Sequence, residues 1–256
     1  MDTLRATAYL TRRALRESLR QPGVEIPQAL IPLFFFAVTV GVASNVAPQA
    51  FGVQNYAGFQ IPVAMLNAAA GVSSVSGIVL VTDIERGYFD KLLLTPAPRL
   101  AIILGRLAAD FLRSLAVVTL ILVVGLIAGT GMQSGVGGAI VLVLLMAAFG
   151  AAYSGVGMAV SLRTGNAQAA QLGLLLFFPL LFLSTAFAPK EVFDPWLRTV
   201  ATYNPVTYIL QGARDLVLVG WHGVTFLQAI AAVLGIGAVT LALTLLALRR
   251  RLVSGA

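Results

Sequence analysis

Apolar residues gather into six long runs along this chain, at positions 26–44, 59–81, 107–127, 136–162, 169–188 and 225–248. Each is near the roughly 20 residues a helix needs to cross the hydrocarbon core of a bilayer. The runs lack the alternation of a barrel strand, since Leu172 to Phe178 is apolar at every position. The pattern therefore predicts an all-α membrane protein with six transmembrane helices. Polar residues concentrate between the second and third runs, where Thr82 to Thr95 carries Asp83, Glu85, Arg86, Asp90 and Lys91. Hydrocarbon does not tolerate such a segment, and the sequence assigns it to water.

Composition agrees: 59% of residues are hydrophobic and 11% charged, more apolar surface than one soluble domain of this size can hide. Zero cysteines exclude disulfides, thiolate metal sites and thiol nucleophiles, and the single His222 excludes a multi-histidine metal cluster. No metal-binding residues are expected. The charges set topology. Arg5, Arg12, Arg13, Arg16 and Arg20 precede the first run; Arg86, Lys91, Arg99, Arg106 and Arg113 surround the second-to-third connection; Arg163 follows the fourth, and Arg249, Arg250 and Arg251 follow the sixth. If the helices alternate, these fall on one side and leave Lys190, Arg198 and Arg214 on the other. The positive-inside rule then puts both termini in the cytoplasm. The net charge of +7 reads as topology signal and attraction to anionic membrane lipids, with no nucleic-acid partner implied.

Residues 1–25 read as an amphipathic interfacial helix: Leu4, Ala8, Leu15 and Leu19 share one face, Arg5, Arg12, Arg16 and Arg20 lie off it, and Pro22-Gly23 is expected to end it. A full-length span after this stretch argues against a cleaved signal, although small residues lie near Ala43 and Ala47. Pro27 and Pro32 are expected to kink the first span. Asn67 and Ser73-Ser74-Val75-Ser76 in the second span fit either a substrate path or bonding between and within helices. Arg106, Asp110 and Arg113 share a face at the start of the third span and are expected to pair internally, with a proton relay as the rival reading. The small residues of the fourth span, from Gly150 to Gly157, predict close packing inside the bundle. Residues 189–224 hold Pro195, Trp196, Tyr203, Pro205, Tyr208 and Trp221 among charges, and fit either short helices re-entering the outer leaflet or an interfacial aromatic belt.

A phosphate-binding loop needs Gly-Lys followed by Ser or Thr, but the two lysines here, Lys91 and Lys190, follow Asp90 and Pro189. No soluble region is large enough for a nucleotide-binding domain, so ATP-driven work would need a separate subunit. The hairpin, residues 83–98, could supply its handle: Thr82 and Glu85 have capping-box spacing, Arg86 and Asp90 are i, i+4 partners, Ile84, Tyr88 and Leu92 make an apolar stripe beside Phe89 and Leu93, and Pro96 and Pro98 stop the helix. A loop helix that only rests on the membrane fits the same residues.

The run Asp83-Ile84-Glu85-Arg86-Gly87 through Asp90-Lys91-Leu92-Leu93, continuing to Leu104-Gly105-Arg106, resembles the Glu-Arg-Gly segment of type-2 ATP-binding-cassette transporter permeases, especially the daunorubicin-resistance-like efflux branch. A second match, Pro179 to Pro189 and then Asn204-Pro205-Val206-Thr207-Tyr208 through Arg214, is similar to that family's C-terminal signature, with Thr185 where the family often has glycine. The resemblance covers essentially the whole chain as one transmembrane domain, 1–256.

It implies a coupling helix from Glu85 to Leu94 that docks in an ATPase subunit. Glu85 and Arg86 would be its polar anchors, Tyr88 and Phe89 its buried contacts, and Gly87, Asp90 and Leu92 further members of the site. It implies an external gate at Pro189, Trp196, Asn204, Pro205, Tyr208 and Arg214. Cargo would pass near the second and fifth spans, where Asn67, Ser74, Phe178 and Ser184 are candidate path residues. The working unit would be two permease copies, identical or related, with two ATPase subunits that bind ATP and Mg; this chain would hold no cofactor and catalyse no bond chemistry. The expectation is an exporter of amphiphilic cargo such as a drug, lipid or glycolipid in a bacterial plasma membrane. A polysaccharide or lipo-oligosaccharide exporter and a proton-coupled secondary transporter are the alternatives.

Overall fold

Helix accounts for most of the described residues, 3–95 and 98–254, of the computed structural model, and no strand is among them. The first helix, α1 (Thr3–Leu19), is followed at once by α2 (Pro22–Ala43). Pro22 opens α2 instead of closing α1: at the first helical position its missing N–H would have had no partner anyway. Pro27 and Pro32 lie inside α2, which remains one helix. A short α3 (Ala47–Phe51) leads to α4 (Tyr56–Glu85), whose N-terminus is capped by Asn55 Oδ1 accepting from Gly58 N at 2.8 Å.

After α4 come the six-residue α5 (Tyr88–Leu93), then α6 (Arg99–Ile127) and α7 (Gly135–Thr164). The fifth apolar run departs from expectation. It forms two pieces, α8 (Ala167–Ala170) and α9 (Leu172–Phe182), parted by a turn at Gln171 and ended well short of Ala188. A 3-10 turn (Lys190–Val192), α10 (Pro195–Tyr203), α11 (Pro205–Leu218) and α12 (Gly223–Ser254) complete the chain. Five helices are thus long and apolar enough to cross a membrane, namely α2, α4, α6, α7 and α12, with the shorter segment Ala167–Phe182 as the sixth apolar element.

The central helix is α4. Its apolar window is 78% buried, against 44% for α7, because α2, α6, α7, α9 and α11 all pack on it. The small residues of α7 do serve close approach: a Cβ on Gly77 of α4 would lie 2.9 Å from the Gly157 carbonyl carbon. Hydroxyls stitch the same contact, Ser73 Oγ donating to Gly150 O at 2.6 Å and Ser161 Oγ to Gly77 O at 2.7 Å. The exposed apolar side chains of α2, α9 and α12, among them Phe34, Phe35, Leu175 and Leu234, suit lipid contact.

Candidate functional site

Backbone conformation makes the elbow between α4 and α6. α4 runs through Glu85, Arg86 caps it, and Gly87 turns the chain at φ +65° into α5. Space around Gly87 is open, so the left-handed φ, and not crowding, is what requires glycine there. Glu85 and Arg86 therefore lie at the end of the long helix, while Tyr88, Phe89, Asp90 and Leu92 lie on α5; the single helix expected from Glu85 to Leu94 is broken at Gly87. This break separates Arg86 from Asp90, and no ion pair joins them. Thr82 makes no capping box. Its hydroxyl donates back to Ile78 O at 3.1 Å within α4. Pro96 lies outside the described residues.

Phe89 is 3% exposed, in a cluster with Leu80, Ile102, Met158, Leu162 and Leu248. The resemblance implied a buried contact with a partner; the structure spends this side chain on rooting α5 in its own bundle. Leu92 and Ile84 pack partly against the same cluster. Glu85, Arg86, Asp90, Lys91 and Leu94 remain exposed as the tip.

Beneath the tip lies a charge network that the sequence did not reveal. Asp83, assigned to water, is 4% exposed and held by Arg13 of α1 at 3.2 Å and by Arg106 of α6. Its helix position explains this, since Leu80, Asp83 and Ile84 share one inward stripe. The Arg13 guanidinium also sits 3.7 Å from the centroid of the half-buried Tyr88 ring. Burial works against the Arg13 charge, but Asp83, Tyr88 and Glu17 more than offset it and raise its pKa above the ordinary arginine value. One carboxylate thus ties α1, α4 and α6 together directly beneath α5.

A second group follows one turn deeper. Arg113 bridges Asp110 at 3.0 Å and Glu25 of α2 at 2.5 Å, and Glu25 accepts from Ser18 at 2.6 Å. The expected internal pairing holds for Asp110 and Arg113, whereas Arg106 reaches α4 instead. A cavity of about 50 Å³ adjoins both groups, with Glu25, Arg106, Asp110 and Arg113 in its lining. The space has room for water. The face of α1 away from α6 leaves Leu4 and Leu19 exposed beside Arg5, Arg12, Arg16 and Arg20.

At the opposite end, 183–218 folds over the bundle. Pro189 opens the 3-10 turn, and Trp196 on α10 is exposed. Asn204 caps α11, accepting from Val206 N at 3.0 Å, and donates Nδ2 to Leu180 O at 2.6 Å. Pro205 starts α11, and Tyr208 Oη donates to Thr202 O at 2.6 Å. Arg214 is buried at 7% exposure. It donates to Phe59 O (2.9 Å), Ala186 O (3.0 Å) and Thr185 Oγ1 (3.3 Å), and stacks on the Phe59 ring at 3.4 Å. Asn204 and Arg214 therefore brace the cap from within, and Thr185 gains a role as an acceptor. Phe59 was not foreseen; the aromatic pair Tyr56 and Phe59 at the start of α4 was its available signal.

Asn67 donates to Val63 O at 3.0 Å, Ser74 to Gly71 O at 2.7 Å and Ser184 to Leu181 O at 2.6 Å, so all three satisfy backbone on their own segments. Phe178 is exposed on α9. Among the described residues, no group of His, Cys, Asp or Glu could hold a metal ion.

The family model for the ABC-2 type transporter matches residues 5–218. A daunorubicin resistance ABC transporter permease protein, DrrB1, from Streptomyces coeruleorubidus is 25% identical over 227 residues, 88% of this chain and 78% of that protein. A putative transport permease, ycf38, from Porphyra purpurea is 24% identical over 209 residues (80% and 71%), and its counterpart from Cyanophora paradoxa is 27% identical over 210 residues (81% and 72%).

Proposed function

This chain belongs to the ABC-2 type transporter family, and from that premise we propose that it is the membrane permease of an ATP-driven exporter. It is a multi-pass membrane protein and an ABC transporter permease; the family implies an ABC ATPase subunit as its partner. In the proposed unit, two ATPase subunits bind ATP and Mg, two permease copies form the route, and amphiphilic cargo such as a drug, lipid or glycolipid leaves a bacterial cell through its plasma membrane. The daunorubicin-resistance relative supports drug-like cargo. Both termini and the hairpin face the cytoplasm in this reading. In its support, α1 meets Asp83 and Tyr88, and Arg251 near the end of α12 lies over Phe89 at 5.9 Å, so all three share one end of the bundle.

One observation carries the proposal: a polar, exposed tip at Glu85, Arg86, Asp90 and Lys91 is mounted on a base that cannot swivel freely, since Phe89 is buried and Asp83 is bound on two sides. A partner that pulls on such a tip tilts α4 and α6 directly. ATP-driven switching then requires the partner to bind the two permease arrangements with different free energy. The external cap, braced by Arg214 and Asn204, would close the path outward.

The test is charge reversal at the tip. Glu85→Lys leaves an exposed residue exposed, so membrane insertion and thermal stability are expected to stay unchanged while co-purification of the ATPase subunit and stimulation of its activity fall. Full co-purification and stimulation in Glu85→Lys and Asp90→Lys alike would overturn the docking assignment.

A further inference from the structure

α6 and α12 both pack against α7, and between them lies a cleft of about 280 Å³. Small residues make its floor, Ala148, Ala151, Ala152 and Gly155 of α7, while Leu107, Leu234 and Leu241 are among the apolar residues at its sides. The two hydroxyls in its lining are turned away from the opening: Thr240 donates to Ala152 O at 2.6 Å and Thr244 to Gly155 O at 2.9 Å. What remains is a hydrocarbon surface. Along α12 the cleft extends from Val233 to Thr244, about 16 Å at 1.5 Å per residue. That is half of a hydrocarbon core about 30 Å thick, the depth of one leaflet.

Its mouth is basic. Arg99 on α6 lies four residues before Ile103 and eight before Leu107, on the ridge that lines the cleft, and Arg249 lies one residue beyond the last apolar turn of α12; both are exposed. These cations stand at the hairpin end of the bundle. A phosphate placed between them would neutralise both.

We propose that this cleft holds one acyl chain of an anionic phospholipid from the leaflet at the hairpin end, its phosphate between Arg99 and Arg249. The floor of the cleft continues into the cluster that seats Phe89, since Ile103, Met158 and Thr244 line both the cleft and the small cavity next to Phe89. A bound chain stiffens that seat. The lipid is a structural ligand, distinct from cargo, and the proposal holds whether or not the exporter reading does.

The test equilibrates the full-length purified chain with mixed micelles of dioleoyl phosphatidylglycerol and dioleoyl phosphatidylcholine, 1:1, and reads retained lipid by native mass spectrometry. The natural chain is expected to retain one lipid, with phosphatidylglycerol preferred about fivefold or more, the contribution of one or two headgroup cations. Arg99→Gln/Arg249→Gln is expected to retain lipid without preference. Ala238→Phe, placed on the exposed rim of the cleft, is expected to lose retention of both lipids while keeping its melting temperature; if it fails to fold, Ala238→Leu takes its place with a partial loss. Equal retention of the two lipids by the natural chain would overturn the headgroup assignment. Unchanged retention in the folded rim variants, or loss of self-association in place of lipid, would overturn the cleft assignment.

Discussion

Replacing Asp83 with leucine removes the carboxylate that Arg13 and Arg106 share and leaves both cations facing an apolar side chain. The Arg106 side chain is 13% exposed, so stranding it is the larger effect, about 3–5 kcal/mol for breaking a buried pair from one side. Arg13 is 32% exposed and can turn to water or to Glu17, which reduces its share to about 0–1 kcal/mol. At roughly 2–4 °C per kcal/mol for a chain of this size, the combined loss should lower the apparent melting temperature in nanodiscs by about 6–24 °C. Removing the second charge should restore most of the loss, because a buried pair replaced by apolar residues of similar volume is often neutral. The double variant Asp83→Leu/Arg106→Met is therefore expected near the parent, with a coupling energy above about 1 kcal/mol in the double-mutant cycle. The assay is thermal unfolding of all four proteins under one condition. A fall of less than about 2 °C in Asp83→Leu, or additive losses in the double variant, would refute the shared-carboxylate reasoning.

Two further outcomes are expected. Gly87→Ala forces a side chain into the left-handed region and should cost about 1–2 kcal/mol, seen as a lower melting temperature, while Gly87→Asn costs less. Arg214→Lys keeps the charge but loses the planar fork that reaches Phe59 O, Ala186 O and Thr185, so it should destabilise the cap by about 1.5–3 kcal/mol; Thr185→Gly, which removes a 3.3 Å contact, should cost less, and limited proteolysis of 183–204 measures both.

What the sequence made legible follows from how local each signal is. The α1 face of Leu4, Ala8, Leu15 and Leu19 and the long helices α4, α6, α7 and α12 rest on periodicity and length, which neighbouring residues carry by themselves. The fifth run ends earlier than its hydropathy suggests, because hydropathy sees only that Leu172 to Ala188 is mostly apolar; the helix stops at Phe182 after Pro179, with Leu180 O accepting from Asn204 and Leu181 O from Ser184, contacts that composition cannot express. Asp83 was placed in water because its partners, Arg13 and Arg106, lie 70 and 23 residues away. Its neighbours Leu80 and Ile84 did mark an inward stripe. Phe89 illustrates a different gap: an apolar residue on a short surface helix fits a partner or the chain's own core equally well until the core is seen.

The account rests on the tip of the hairpin lying in the cytoplasm under the grip of an ATPase. The chain has no cysteine, so Asp90→Cys provides a single reporter. A membrane-impermeant maleimide should leave it unlabelled in intact cells, label it in inside-out vesicles, and lose access when the ATPase subunit is bound. Labelling from outside intact cells, or equal labelling with and without the subunit, would contradict the account.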